Sequence, residues 1–268
     1  MIGGIIILMK LIDNGLVKLF SPLHIIYIVF AIGLFVGTML LANKFVKKEK
    51  TIDIIMYSIA GFLFVFILAQ RVSVVYWGIH NNDVRDVFGE TRSYNWFMIL
   101  PDSICALINI SLPIALLIKK KDNKYIEGAY AICMLGCITN IVYPTYIEYE
   151  PLWQMRSWGG LVHHFVAGWL LTFLLLKGYF TPSLKRWYLC PIILVGVLLY
   201  GLFCLFVLRF SECMNIAKPL VEGLIVSYYW GLAIGYLAVN TLFLLVWYLI
   251  EKKLKKKTEV QQEEKASE

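Results

Sequence analysis

Apolar runs of eighteen or more residues recur along the whole chain, separated by short polar clusters. Seven blocks stand out, at 23–43, 52–77, 96–118, 126–146, 159–180, 187–208 and 225–250. Each is long enough to cross the roughly 30 Å of a bilayer's hydrocarbon. A segment in lipid must satisfy its own backbone hydrogen bonds, and runs of this length do so as helices rather than as barrel strands. The pattern therefore predicts an all-α, polytopic membrane protein with seven transmembrane helices over 23–250. Residues 1–22, opening "MIGGIIILMK", lack a basic leader and a cleavage motif. With Lys10, Asp13 and Lys18 following, they read as an interfacial segment. Residues 251–268 are charged and poor in apolar side chains, the composition of a disordered tail. No internal repeat and no second domain is evident.

Composition agrees with this pattern. The chain has 268 residues, 60% hydrophobic and 16% charged, where a soluble domain carries about 25% charge. Mean hydropathy is +0.72. The net charge of +7 sits in clusters between apolar blocks. It forms no basic face interleaved with aromatics, so nucleic acid is excluded as a partner and membrane lipids are expected. Lys and Arg fall unevenly on alternate loops: seventeen on the side of 44–51, 119–125, 177–186 and the tail, against seven on the other. The positive-inside rule then places the N-terminus outside and the C-terminus in the cytoplasm, with the chain multi-pass in the cell membrane. Tyr76, Trp77, Trp96, Tyr143 and Trp230 form an outer aromatic belt, and Trp187, Tyr188, Trp247 and Tyr248 an inner one.

The six cysteines form no C-x-x-C pair and lie mostly inside apolar blocks, which argues against a disulfide framework and a structural zinc. No H-E-x-x-H or other ligand spacing is present, so no metal is expected. No cofactor is expected either, and span seven has no lysine for a retinal Schiff base.

Polar residues inside spans are costly and usually face the bundle interior. Here they concentrate in the outer halves: His24 in span one, Gln70 and Arg71 in span two, Asp102, Cys105 and Asn109 in span three, Asn140 in span four, His163 and His164 in span five, with Glu222 before span seven. The inner halves read as almost purely apolar. This suggests one cavity open toward the outer leaflet. Asp102, Cys105 and Asn109 are spaced i, i+3, i+7 and share a helical stripe. Gly160, His164, Ala167 and Gly168 make a small-residue face on span five. Arg71 either snorkels to the interface or pairs with Asp102. Adjacent histidines point about 100° apart on a helix, so one of His163 and His164 is expected to be structural or lipid-facing. His24, after "FSPL", also fits an interfacial role.

Four segments resemble the YwaF-type integral membrane proteins of bacteria and their animal transmembrane acyltransferase relatives. "FSPLHIIYIVF" is similar to that family's opening Phe-Ser/Gly-x-x-His segment. "LPDSICALINISLPIALLIKKK" is similar to its Leu-Pro-x-x-x-Cys segment, "GAYAICMLGCITNIVYP" to its Gly-rich fourth helix, and "LVHHFVAGWLL" to its histidine-bearing fifth helix. The chain has Asp102-Ser103 where the family often has His, and Ala106 where it often has Asp or Asn. The resemblance implies seven helices and, from the animal relatives, acyl transfer between phospholipids. It would make Cys105 the nucleophile and His163 or His164 the base.

Two functions follow. In the first, the protein is a lipid acyltransferase: a thiolate attacks an ester, an imidazole moves the proton, and Asn109 or Asn140 donates to the oxyanion. Asp102 would orient the imidazole or hold Arg71, and Arg71 would bind a phosphate head group. In the second, the same cavity binds or transports a small solute or lipid without catalysis. The distance from Cys105 to an imidazole separates the two.

Overall fold

In a computed structural model, the described residues are 17–80, 94–144, 147, 155–210, 212–217 and 228–267, with the side chains of Arg156 and of 254–267 set aside. Their regular elements are all helices, with no strand among them. The helices are α1 Pro22–Phe45, α2 Glu49–His80, α3 Ile104–Ile118, α4 Lys124–Val142, α5 Met155–Leu176, α6 Leu189–Phe206 and α7 Tyr228–Ser267. Six of them, all but α3, are long and apolar enough to cross a membrane. The chain is an integral, multi-pass membrane protein. The interfacial segment expected at the N-terminus lies almost wholly outside the described residues, as does Glu222.

The block at 96–118 is helical in two pieces. A 3-10 turn covers Trp96–Ile99, the chain is extended at Leu100, and α3 begins only at Ile104. Pro101 accounts for the break, because a residue before proline is pushed out of the helical region. Each piece has its own cap: Asn95 accepts from the Phe97 amide, and Ser103 from the Ala106 amide. The 15 residues of α3 span about 22 Å at 1.5 Å per residue.

Local chemistry also fixes the other ends. Ser21 caps α1 ahead of Pro22. Asn123 accepts from the Tyr125 and Ile126 amides while donating to the Ala115 and Lys119 carbonyls, so one side chain closes α3 and opens α4. Helix α5 ends at Gly178, whose φ of +70° suits glycine. There the Tyr179 amide returns to Leu174 O and the Gly178 amide to Leu175 O. Helix α7 continues through the charged tail to Ser267, a stretch rich in Lys, Glu and Gln, all good helix formers.

Helices α4 and α5 form the centre. Each has 61% of its apolar window buried, against 11% for α1 and 22% for α7. They approach closely: a side-chain carbon at Gly168 of α5 would lie 2.6 Å from the Cys137 Cβ of α4. The outward faces carry exposed Val29, Phe30, Leu117, Leu199, Phe206 and Ile234. A soluble monomer rarely exposes apolar surface on this scale; in lipid it is solvated.

Candidate active site

Toward the end of the bundle opposite the lysine-rich loops, the break before α3 is held by α2. Arg71 Nη1 donates to Asp102 Oδ1 at 2.7 Å, and Nη2 donates to the Met98 and Leu100 carbonyls. Of the two roles open to Arg71, the geometry is that of the pair. Its fork is occupied by a carboxylate and two carbonyls, which leaves no bidentate face for a phosphate head group. Gln70, one residue earlier, is buried against α5, and a carbon at Gly159 would meet its Nε2 at 2.7 Å.

Deeper in the bundle, His163 and His164 are both buried, at 7% and 9% exposure. Of the two roles expected for one of them, structural or lipid-facing, burial leaves the structural one. Helix α5 packs against α1, α2, α3 and α4, so side chains about 100° apart both meet protein. Their rings lie 4.3 Å apart between centroids and serve different neighbours.

His163 belongs to a closed polar network. Asn109 of α3 donates through Nδ2 to His163 Nδ1 at 2.9 Å, and Asn109 Oδ1 accepts from the Cys133 thiol at 3.6 Å. With this assignment His163 is neutral and carries its proton on Nε2. Both ends of the Asn109 amide are engaged. Asn140 Nδ2 likewise donates to the Gly136 carbonyl of its own helix.

His164 turns toward α4 and α3. A carbon at Gly136 would lie 2.9 Å from His164 Nδ1 and 3.6 Å from Cys105 Sγ, which by addition puts nitrogen and sulfur at most 6.5 Å apart. No hydrogen bond engages His164 among the described residues. Cys105 is half-buried, and its sulfur lies 3.8 Å from the Tyr236 hydroxyl of α7. Gly136, by lacking a side chain, leaves room beside it for both the His164 ring and the Cys105 sulfur. Neither Tyr236 nor Gly136 is among the residues that the sequence pattern points to. Tyr236 stands one turn before Asn240, itself buried, in an otherwise apolar helix, and that polar pair was the available signal.

His24 is not part of this group. It is fully buried at the start of α1, its Nδ1 accepts from the Phe20 amide at 2.9 Å, and its ring stacks on Tyr27. The polar residues thus form a clamp at the break, a network at His163, a thiol and an imidazole each beside Gly136, and a cap at His24. Two of the grooves at the surface of the described residues are not lined by these groups. One, of about 370 Å³, runs between α1, α2 and α5 past Thr38, Ser58 and Trp169; the other, of about 190 Å³, lies beside Trp247 and Lys185.

The lysine-rich end is also more polar than the sequence suggested. Lys120 bonds Asp53 at 2.7 Å, Tyr179 donates to the same carboxylate, and buried Glu127 pairs with Arg186 at 2.9 Å. These groups sit in first turns and loops, where a helix end and a short connection bring them together.

No metal-ligating cluster of three or more His, Cys, Asp or Glu occurs among the described residues. No family model, curated protein or solved structure matches the chain.

Proposed function

We propose that the protein is a membrane-embedded acyltransferase in which Cys105 takes an acyl group from a phospholipid ester and His164 moves the proton. The observation that carries this reading is the convergence of the Cys105 thiol and the His164 imidazole over Gly136. The YwaF-type motifs support the same pair, and geometry favours His164 over His163, because His163 is engaged by Asn109. Tyr236 replaces the asparagines as the donor to the oxyanion, since its hydroxyl already meets the sulfur. Imidazole takes the thiol proton as sulfur bonds to the carbonyl carbon. The tetrahedral intermediate then expels the alkoxide, which leaves with that proton. A second alcohol reverses these steps and removes the acyl group from sulfur. Arg71 and Asp102 are positioning residues that hold the break from which α3 presents Cys105.

Seven spans, with α3 completed by the turn at Trp96–Ile99, belong to the same reading. The lysine-rich loops face the cytoplasm, in the cell membrane, on the charge bias of seventeen to seven.

Non-catalytic lipid binding is the second reading, favoured by the apolar groove beside Trp169, which does not reach Cys105. Labelling separates the two. A thiol-reactive, lipid-like electrophile added to membranes is expected to modify Cys105. His164→Ala should slow the labelling at least tenfold, and His163→Ala should slow it less. Equal labelling of wild type and His164→Ala would remove the base and leave the binding reading.

A further inference from the structure

We infer that Cys204 and Cys213 form an intramolecular disulfide that fixes the segment after α6 against the break preceding Cys105. Both cysteines are free thiols in the structure and both are fully buried. A tight reversal brings the segments that carry them together. The Phe210 amide bonds the Cys204 carbonyl at 3.0 Å, and residues 213–216 fold back over α6. Gly201, three residues before Cys204, permits that approach: a carbon there would meet Met214 Cγ at 2.9 Å and Ile216 Cδ1 at 2.4 Å. Residues three apart share a helix face, so Cys204 looks into the returning strand of chain. The two thiols are direct neighbours.

The reversal needs a restraint. Arg209, Met214 and Asn215 hold φ values of 58°, 57° and 58°. Asparagine tolerates this region, whereas arginine and methionine are disfavoured there. The segment is held at Asp102, whose carbonyl accepts from the Met214 amide at 2.7 Å, and Cys213 Sγ lies 3.9 Å from the Pro101 carbonyl, a thiol contact that the covalent link would replace. A covalent link at Cys213 would therefore steady the same break that Arg71 clamps.

The oxidant is a disulfide, carried by a thiol oxidoreductase or a small thiol. One cysteine thiolate attacks it to form a mixed disulfide, and the second displaces the carrier. Two S–H bonds and the oxidant's S–S bond break. One S–S bond forms in the protein, and the carrier leaves as two thiols with both protons. Burial of both sulfurs means the exchange precedes closure of the segment during folding. The supply of oxidant rests on the proposed orientation, which puts this end of the bundle in the oxidising compartment.

The test is to block free thiols with N-ethylmaleimide in native membranes, unfold the full chain in the same reagent, and map peptides by mass without reduction. The expected result is a Cys204–Cys213 linked peptide two hydrogens lighter than the separate pair, absent from Cys213→Ser. Maleimide on both cysteines would overturn the inference. Purified protein unfolded with denaturant and refolded in the presence of glutathione disulfide says why. A link formed only there means the sulfurs face each other but the orientation is wrong, and no link even there means the geometry fails. Cys105 labelling by the lipid-like electrophile, measured on a separate sample of the same membranes, reports the proposed acyl site separately.

Discussion

The imidazole of His164 occupies the space that a side chain on Gly136 would fill. A carbon added there would come within 2.9 Å of His164 Nδ1, closer than such atoms normally approach, while Cys105 Sγ lies 3.6 Å away. Gly136→Ala should therefore displace the ring without breaking α4, since alanine favours a helix over glycine by about 1 kcal/mol. The expected outcome is at least a tenfold loss of Cys105 labelling by a lipid-like electrophile, with thermal unfolding in detergent changed by only a few degrees. A large loss of stability instead would mean that Gly136 serves helix packing alone.

Arg71 and Asp102 are only 12% and 15% exposed. Removing one partner of so enclosed a pair costs roughly 2–4 kcal/mol. Arg71→Met should cost more than Asp102→Asn, because it also frees the Met98 and Leu100 carbonyls. Arg71→Lys should not restore stability, as an ammonium cannot span three acceptors in one plane. Chemical unfolding of the three variants in detergent checks the order, and full rescue by lysine would show that charge alone matters.

Asn109→Leu leaves His163 Nδ1 and the Cys133 thiol without their shared partner. An unsatisfied buried polar group costs about 1–3 kcal/mol. The same change in a His163→Phe background should cost less than in wild type, and a double-mutant cycle measures the difference. Additive effects would show that the network is not coupled.

Alkaline pH should weaken the lysine-rich end. The bond to Asp53 raises Lys120 above the usual 10.5. Burial first, and then the hydrogen bond to Asp53, raise Tyr179 above 10.0. Both groups contribute stability that is present below their ordinary values and is lost as pH rises through the raised ones. Unfolding followed from pH 9 upward should show stability falling above about pH 10. Asp53→Asn should flatten that decline, and an unchanged slope would show that these contacts do not form.

The apolar blocks located every helix because lipid solvation demands long uninterrupted runs. Charge spacing also brought Arg71 and Asp102 within reach of each other. Three features were not legible. The break before α3 depends on Pro101 acting with two separate caps, Asn95 and Ser103, where proline alone reads as a helix start. The burial of both histidines depends on α5 having neighbours on several sides, which the sequence of one helix cannot report. Tyr236 stayed hidden because a span's tyrosine ordinarily reads as an interfacial ring, and only the packing of α7 brings its hydroxyl to Cys105.

The central claim is that Cys105 accepts an acyl group with the help of His164. Purified protein in vesicles of acyl-radiolabelled phospholipid tests it most directly. The account predicts label on Cys105 that neutral hydroxylamine releases, absent in Cys105→Ala and reduced at least tenfold in His164→Ala. Label that survives hydroxylamine, or that persists unchanged in Cys105→Ala, would contradict it.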